Sequence, residues 1–183
     1  MCLCAYSTGH AQAEKNVIKA AYLRNVMNFA NWPAGTFKSS NADFQIGFAG
    51  TDPEMEGSLE MAFEKLNYRI QNRRVNIRIF RTPGALEVFL GNKGANGCQA
   101  IFLPTSETVR AKQWIDVVGN KPVLLFSEDP GFIDAGGSIC LTPNPRVKGR
   151  FYYTIHTQRL QKQKIRFTTQ FLRMRSAVKT ISK

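Results

Sequence analysis

The stretch Pro122-Val123-Leu124-Leu125-Phe126-Ser127-Glu128-Asp129-Pro130-Gly131-Phe132 carries the decisive pattern. Pro122–Phe126 is an apolar run of strand length with no polar alternation, as expected of a strand buried on both faces. Asp129-Pro130 has the form of a cap followed by proline at the first helical position, so Asp129–Phe132 predicts a single helical turn, closed by Gly136-Gly137. Ser138–Leu141 is then the next apolar strand.

Working outward, the same alternation recurs. Ala100–Pro104 predicts a buried strand, followed by a helix over 106–118. Phe44–Gly50 predicts a strand, and Asp52-Pro53 starts a helix over 53–66. Val75–Phe80 alternates as a half-buried strand, and 84–91 is a short helix. At the front, Ile18, Ala21, Tyr22, Val26 and Phe29 recur at spacings of three and four, which predicts a helix over 14–30 stopped by Trp32-Pro33. At the end, Phe151–Ile155 predicts a sixth, antiparallel strand. Phe167, Phe171, Met174 and Val178 predict one face of a last helix over 166–180. The expected fold is a single α/β domain: a mostly parallel sheet of five to six strands with helices on both faces.

The chain has 183 residues and a net charge of +12. No stretch approaches the roughly 18 apolar residues of a membrane-spanning helix. The charge is uneven. Residues 1–144 hold 14 basic and 13 acidic residues, whereas 145–183 hold 11 basic and none acidic. Such an end suits nucleic acid, an anionic membrane surface or an acidic partner, or simply a solubilising face. The candidate surface comprises Arg146, Lys148, Arg150, Arg159, Lys162, Lys164, Arg166, Arg173, Arg175 and Lys179, with the cations of the last helix facing outward.

Ala11-Gln12-Ala13 has the small-x-small form of a signal-peptidase site, so residues 1–13 read as the end of a leader and the mature domain as 14–183. Cys2 and Cys4 would leave with that leader. Cys98 and Cys140 fall before the third strand and within the fifth. An intervening strand then separates them by roughly 10 Å, beyond disulfide reach. Two unpaired thiols are expected. With two distant histidines, His10 and His156, and no Cys-x-x-Cys pair, the residues call for no metal or cofactor.

Phosphate-cradling glycine loops and the Gly-x-Ser-x-Gly elbow are absent. The strongest catalytic candidates are polar groups after strands: Asp52, Ser106, Glu107, Glu128 and Asp129, where carboxylates could hold Mg²⁺ for a metal-dependent hydrolase. The plainer reading makes Asp52 and Asp129, each before a proline, helix caps. Phe151, Tyr152, Tyr153, Phe167 and Phe171 lie near the basic end, as in a single-strand nucleic-acid binder. The helical spacing of Phe167 and Phe171 favours core instead, and Tyr152 and Tyr153 cannot both face outward on a strand.

The ordered motifs resemble the YfiR family (YfiR/HmsC-like) of bacterial periplasmic regulators. The likeness runs from Val17–Leu23 and Phe29–Trp32-Pro33, through Phe44–Gly50 with Asp52-Pro53 and Cys98–Leu103, to Leu124–Ser127 with Phe126, Gly131-Phe132 and Gly136-Gly137-Ser138-Ile139, then Arg150-Phe151 and Phe171-Leu172. It covers about residues 16–178. The chain departs from it at Glu128, at Thr154, at Gln161–Lys164 and in having no first-strand cysteine to partner Cys98. The resemblance implies a non-enzymatic periplasmic protein, dimeric, without cofactor, that restrains an inner-membrane diguanylate cyclase through that enzyme's periplasmic portion and so lowers cyclic di-GMP and biofilm formation. In that compartment nucleic acid is not the expected partner.

Overall fold

Successive residues of the central strands point into two different cores. Ala100, Phe102, Leu124, Phe126, Ile139 and Leu141 join one buried cluster, while Ile101, Leu103, Val123 and Leu125 join another. The two-residue period of a strand makes this alternation, and it explains why the strands read as unbroken apolar runs: both faces are covered.

The computed structural model describes residues 6–93, 97–144, 147, 150–174 and 177–182. In chain order the elements are α1 (Tyr6–Asn28), β1 (Ala30–Asn31), β2 (Phe44–Ala49), α2 (Pro53–Glu60) prolonged by a π-helical turn over Met61–Lys65, β3 (Val75–Phe80) and α3 (Pro83–Lys93). Then come β4 (Ala100–Leu103), a 3-10 stretch over Thr105–Arg110 leading into α4 (Ala111–Val118), β5 (Leu124–Ser127), a 3-10 turn over Pro130–Phe132 and β6 (Ile139–Pro143). Last are β7 (Phe151–His156), α5 (Thr157–Lys162), β8 (Arg166–Phe167), α6 (Thr169–Leu172) and β9 (Val178–Ile181).

Seven strands form the main sheet in the order β3-β2-β4-β5-β6-β7-β9. β3, β2, β4, β5 and β6 are mutually parallel; β7 is antiparallel to β6, and β9 runs parallel to β7. The order reverses between β2 and β4, the topological switch point of a doubly wound sheet. α1, α2 and the C-terminal elements supply one core; α3 and α4 supply the other. β1 and β8 form a separate two-residue pair, Ala30 opposite Phe167 and Asn31 opposite Arg166.

The expected α/β class holds, with a seventh strand beyond the five or six expected. The antiparallel sixth strand and the helical turn at Pro130 are present. The last helix is not. In place of one helix over 166–180 the chain makes β8, α6 and β9. Thr168 restarts the chain: its backbone is extended and its side chain accepts from the Phe171 N–H. The β-branched run Val178, Thr180 and Ile181 then adds to the sheet edge. Phe167, Phe171 and Val178 are all buried as expected, but from three separate elements.

The face of α1 also differs. Val26 is buried as expected, but so are Ala20, Leu23 and Met27, whereas Ile18 is 40% exposed and Tyr22 half-buried. α1 runs unbroken through Ala11–Ala13 from Tyr6.

Candidate functional site

The carboxyl ends of β2, β4 and β5 meet at the switch point, where ligands of open α/β sheets bind. There α1 lies across them. Lys19 on α1 forms an ion pair of 2.8 Å with Glu128, which follows β5, and both side chains are mostly buried. Asn16 on α1, Asp52 after β2 and Thr105 after β4 line the remaining space with them, a polar cavity of about 100 Å³. A small-molecule pocket usually measures roughly 300–1,000 Å³, so the switch point is largely closed by α1.

The candidate carboxylates are engaged separately. Asp52 Oδ1 accepts from the Met55 N–H at 3.0 Å and caps α2. Asp129 Oδ1 accepts from the Gly131 N–H at 3.0 Å and caps the 3-10 turn. Glu128 is neutralised by Lys19. Glu107 is buried; its Oε2 accepts from Trp114 Nε1 at 2.8 Å, and its Oε1 pairs with Arg110. Gly50 makes room for it: at φ +80°, a Cβ there would fall 2.2 Å from Glu107 Oε1. Among the described residues no three His, Cys, Asp or Glu side chains converge as a metal site requires. His156 Nδ1 accepts from the Arg159 N–H and caps α5.

Motif residues gather at two architectural points. At the amino edge of the sheet, Trp32 Nε1 donates to the Gln99 carbonyl at 3.3 Å, and its ring meets Phe37 and Phe44 edge-on. Cys98, the neighbour of Gln99, is buried and donates to the Ala100 carbonyl at 3.0 Å. Trp32 and Pro33 also line an open cleft of about 550 Å³ with Asn31, Lys164, Ile165 and Arg166. The second point is the turn after β5. Phe132 is buried there with its ring over Gly137, and Gly136 takes φ +100°. Phe126 lies in the core beneath.

The basic surface is only partly as expected. Arg150, Lys162, Lys164, Arg166, Arg173 and Lys179 are exposed, but they come from strands, turns, loops and the end of α5 rather than from one last helix. Arg159 turns inward and donates to the Gly119 carbonyl at 2.6 Å, at the C-terminus of α4. Burial lowers its readiness to carry charge, with Asp116 opposing that effect. Arg146, Lys148 and Arg175 lie outside the described residues.

Cys98 and Cys140 are both free and buried, with β5 between their strands. Burial pushes each thiol up to about 12. Burial also raises the Tyr153 phenol, which donates to the Tyr22 carbonyl at 2.8 Å. Lys19 escaped the sequence reading because a lysine on an amphipathic helix ordinarily marks the solvated face.

These features define a doubly covered α/β domain whose usual ligand crevice is occupied by its own first helix. The chain belongs to the YfiR/HmsC-like family (DUF4154), whose model matches residues 16–175. That family is regulatory rather than catalytic, and its theme is periplasmic control of cyclic di-GMP signalling. Among curated proteins none matches the chain. Among solved structures it is similar to an ABC domain in complex with L-Trp from Streptococcus pneumonia, with a TM-score of 0.54 and 10% identity, covering 75% of this chain and 55% of that one. The chain thus spans about half the length of that structure, and the likeness is one of fold.

Proposed function

We propose that the chain is a non-enzymatic periplasmic regulator that binds the periplasmic portion of an inner-membrane diguanylate cyclase and holds it inactive, lowering cyclic di-GMP and biofilm formation. Family membership over residues 16–175 carries this reading. The occupied switch point and the separately engaged carboxylates are consistent with a protein that acts by binding. A regulator of this kind needs only differential affinity for two states of its partner. In this reading the mature chain begins at Glu14 after export and pairs as a homodimer.

The exposed cations Arg150, Lys162, Lys164, Arg166, Arg173 and Lys179 then orient the protein. Anionic lipid attracts each by about 1 kcal/mol within a Debye length of the surface, and an acidic partner gains encounter rate in the same way. The test is co-purification of the exported protein with a membrane diguanylate cyclase that carries a periplasmic portion, made in the same cells. Capture by the native protein and weaker capture by R166E/R173E/K179E are expected. An intact, exported protein that captures no cyclase would refute the proposal.

A further inference from the structure

A second concentration of positive charge lies inside the half of the chain that is balanced overall. Lys65, Arg69, Arg73, Arg74, Arg78 and Arg81 fall within 17 residues that contain no carboxylate. The fold disposes of two of them: Arg81 pairs with Glu56, and Arg78 stands 4.7 Å from the centre of the Phe89 ring. Arg69, Arg73 and Arg74 instead line one open groove of about 700 Å³ with Ser40, Asn41 and Asp43. None of the three makes an ion pair among the described residues. Asp43 is the one carboxylate among the lining residues, so the groove keeps an excess of two positive charges.

The groove is preorganised. Its floor is the tight turn Ile70–Arg73, closed by backbone hydrogen bonds in both directions, with Gln71 at φ 51° and Asn72 at φ 61°. That strained turn is fastened to the end of α1: the Gln71 N–H donates to Asn28 Oδ1 at 2.6 Å, and Gln71 Nε2 donates to the Ala30 carbonyl at 2.6 Å. Arg73 bridges floor and wall, donating to the carbonyls of Ser39 and Ala42 at 3.0 and 2.7 Å, with its guanidinium 4.0 Å from the centre of the Phe37 ring. Arg24 Nε donates to the Arg69 carbonyl at 3.0 Å and brings a fourth cation beside the groove. Like charges held together by such a scaffold repel, and a multiply charged anion relieves them. Guanidinium forks match phosphate oxygens in pairs, which a lone carboxylate cannot satisfy three times over. The volume suits a phosphorylated small molecule or headgroup rather than a bare ion.

We propose that the Arg69–Arg73–Arg74 groove binds a phosphate group, presented by an anionic phospholipid or by a soluble phosphorylated compound. The proposal stands whether or not the protein acts on a cyclase. The test uses the full chain, with pyrophosphate followed by calorimetry and vesicles of phosphatidylglycerol in phosphatidylcholine followed by co-sedimentation. R69Q/R74Q spares Arg73, whose contacts hold the loop, and its melting temperature checks folding. K112Q/K121Q, two cations on and just after α4 and outside both basic surfaces, is the control for general basicity. Pyrophosphate binding that falls about tenfold or more in R69Q/R74Q, and less than twofold in the control, supports a soluble source. Vesicle binding lost in R69Q/R74Q supports the headgroup source, with or without pyrophosphate binding. No binding of either probe, or binding that R69Q/R74Q leaves within twofold, overturns the proposal.

Discussion

The side-chain oxygen of Gln163 accepts a hydrogen bond from Ser138 Oγ at 2.8 Å, with both side chains fully buried. The same amide donates through Nε2 to the Val123 carbonyl at 2.6 Å, and Ser138 Oγ accepts from the Leu125 N–H at 3.2 Å. The segment after α5 is thereby tied to the starts of β5 and β6. Gln163→Leu removes the amide and leaves the hydroxyl and the carbonyl short of partners. A buried polar group left unsatisfied costs about 1–3 kcal/mol. Urea unfolding should show a loss in that range; a change under about 0.5 kcal/mol would mean that the network contributes nothing.

Two glycines should respond in opposite directions. A Cβ on Gly137 would lie 2.2 Å from Phe132 Cε1, whereas one on Gly57 meets nothing within 4 Å. Gly137→Ala should destabilise by about 1–3 kcal/mol through overpacking. Gly57→Ala, inside α2, should stabilise by about 0.5–1 kcal/mol through helix propensity. Paired thermal melts check both, and equal shifts of one sign would contradict the packing described here.

Acid should dissolve one surface contact selectively. The Arg81 guanidinium holds the Glu56 carboxyl below its usual value of 4.5, the hydrogen bond outweighing the opposing effect of burial. A carboxyl depressed in the folded state contributes stability that is present above 4.5 and lost as pH falls through the depressed range. Native protein should therefore melt above Glu56→Gln at pH 7, and the gap should close below pH 4.5. A gap that persists unchanged at pH 3 would show that the pairing is not its origin.

The buried thiols should be inert until the protein unfolds. Cys98 and Cys140, pushed to about 12 by burial, carry almost no thiolate near neutrality. Iodoacetamide followed by peptide mapping should leave both unmodified in native protein at pH 8 and modify both in denaturant without reductant. Failure to label them after unfolding would reveal a disulfide and a different strand order.

Strand positions and layering were legible because apolar runs such as Leu124–Ser127 and Ala100–Leu103 have one physical use, a strand covered on both sides. The caps at Asp52 and Asp129 were legible because proline fixes the first helical residue. The C-terminus was not. Phe167, Phe171, Met174 and Val178 repeat at helical spacing, and burial rather than helix is what the repeat records. Thr168 as a cap and the β-branched Val178–Ile181 were the signals of a break. α1 misled in its phase: apolar residues such as Val17, Ile18, Tyr22 and Leu23 stand next to one another in sequence, so spacing alone could not choose between Ile18 and Leu23 as the buried residue. The Lys19–Glu128 pair joins positions 109 residues apart, and only the sheet order brings them together.

The most direct measurement of the regulatory proposal is intracellular cyclic di-GMP in cells making a membrane diguanylate cyclase with a periplasmic portion, with and without the exported protein. The proposal predicts that cyclic di-GMP falls when the protein is directed to the periplasm and stays high when it is retained in the cytoplasm or the cyclase lacks its periplasmic portion. Cyclic di-GMP that is the same in all of these strains, with the protein folded and present in the periplasm, would contradict it.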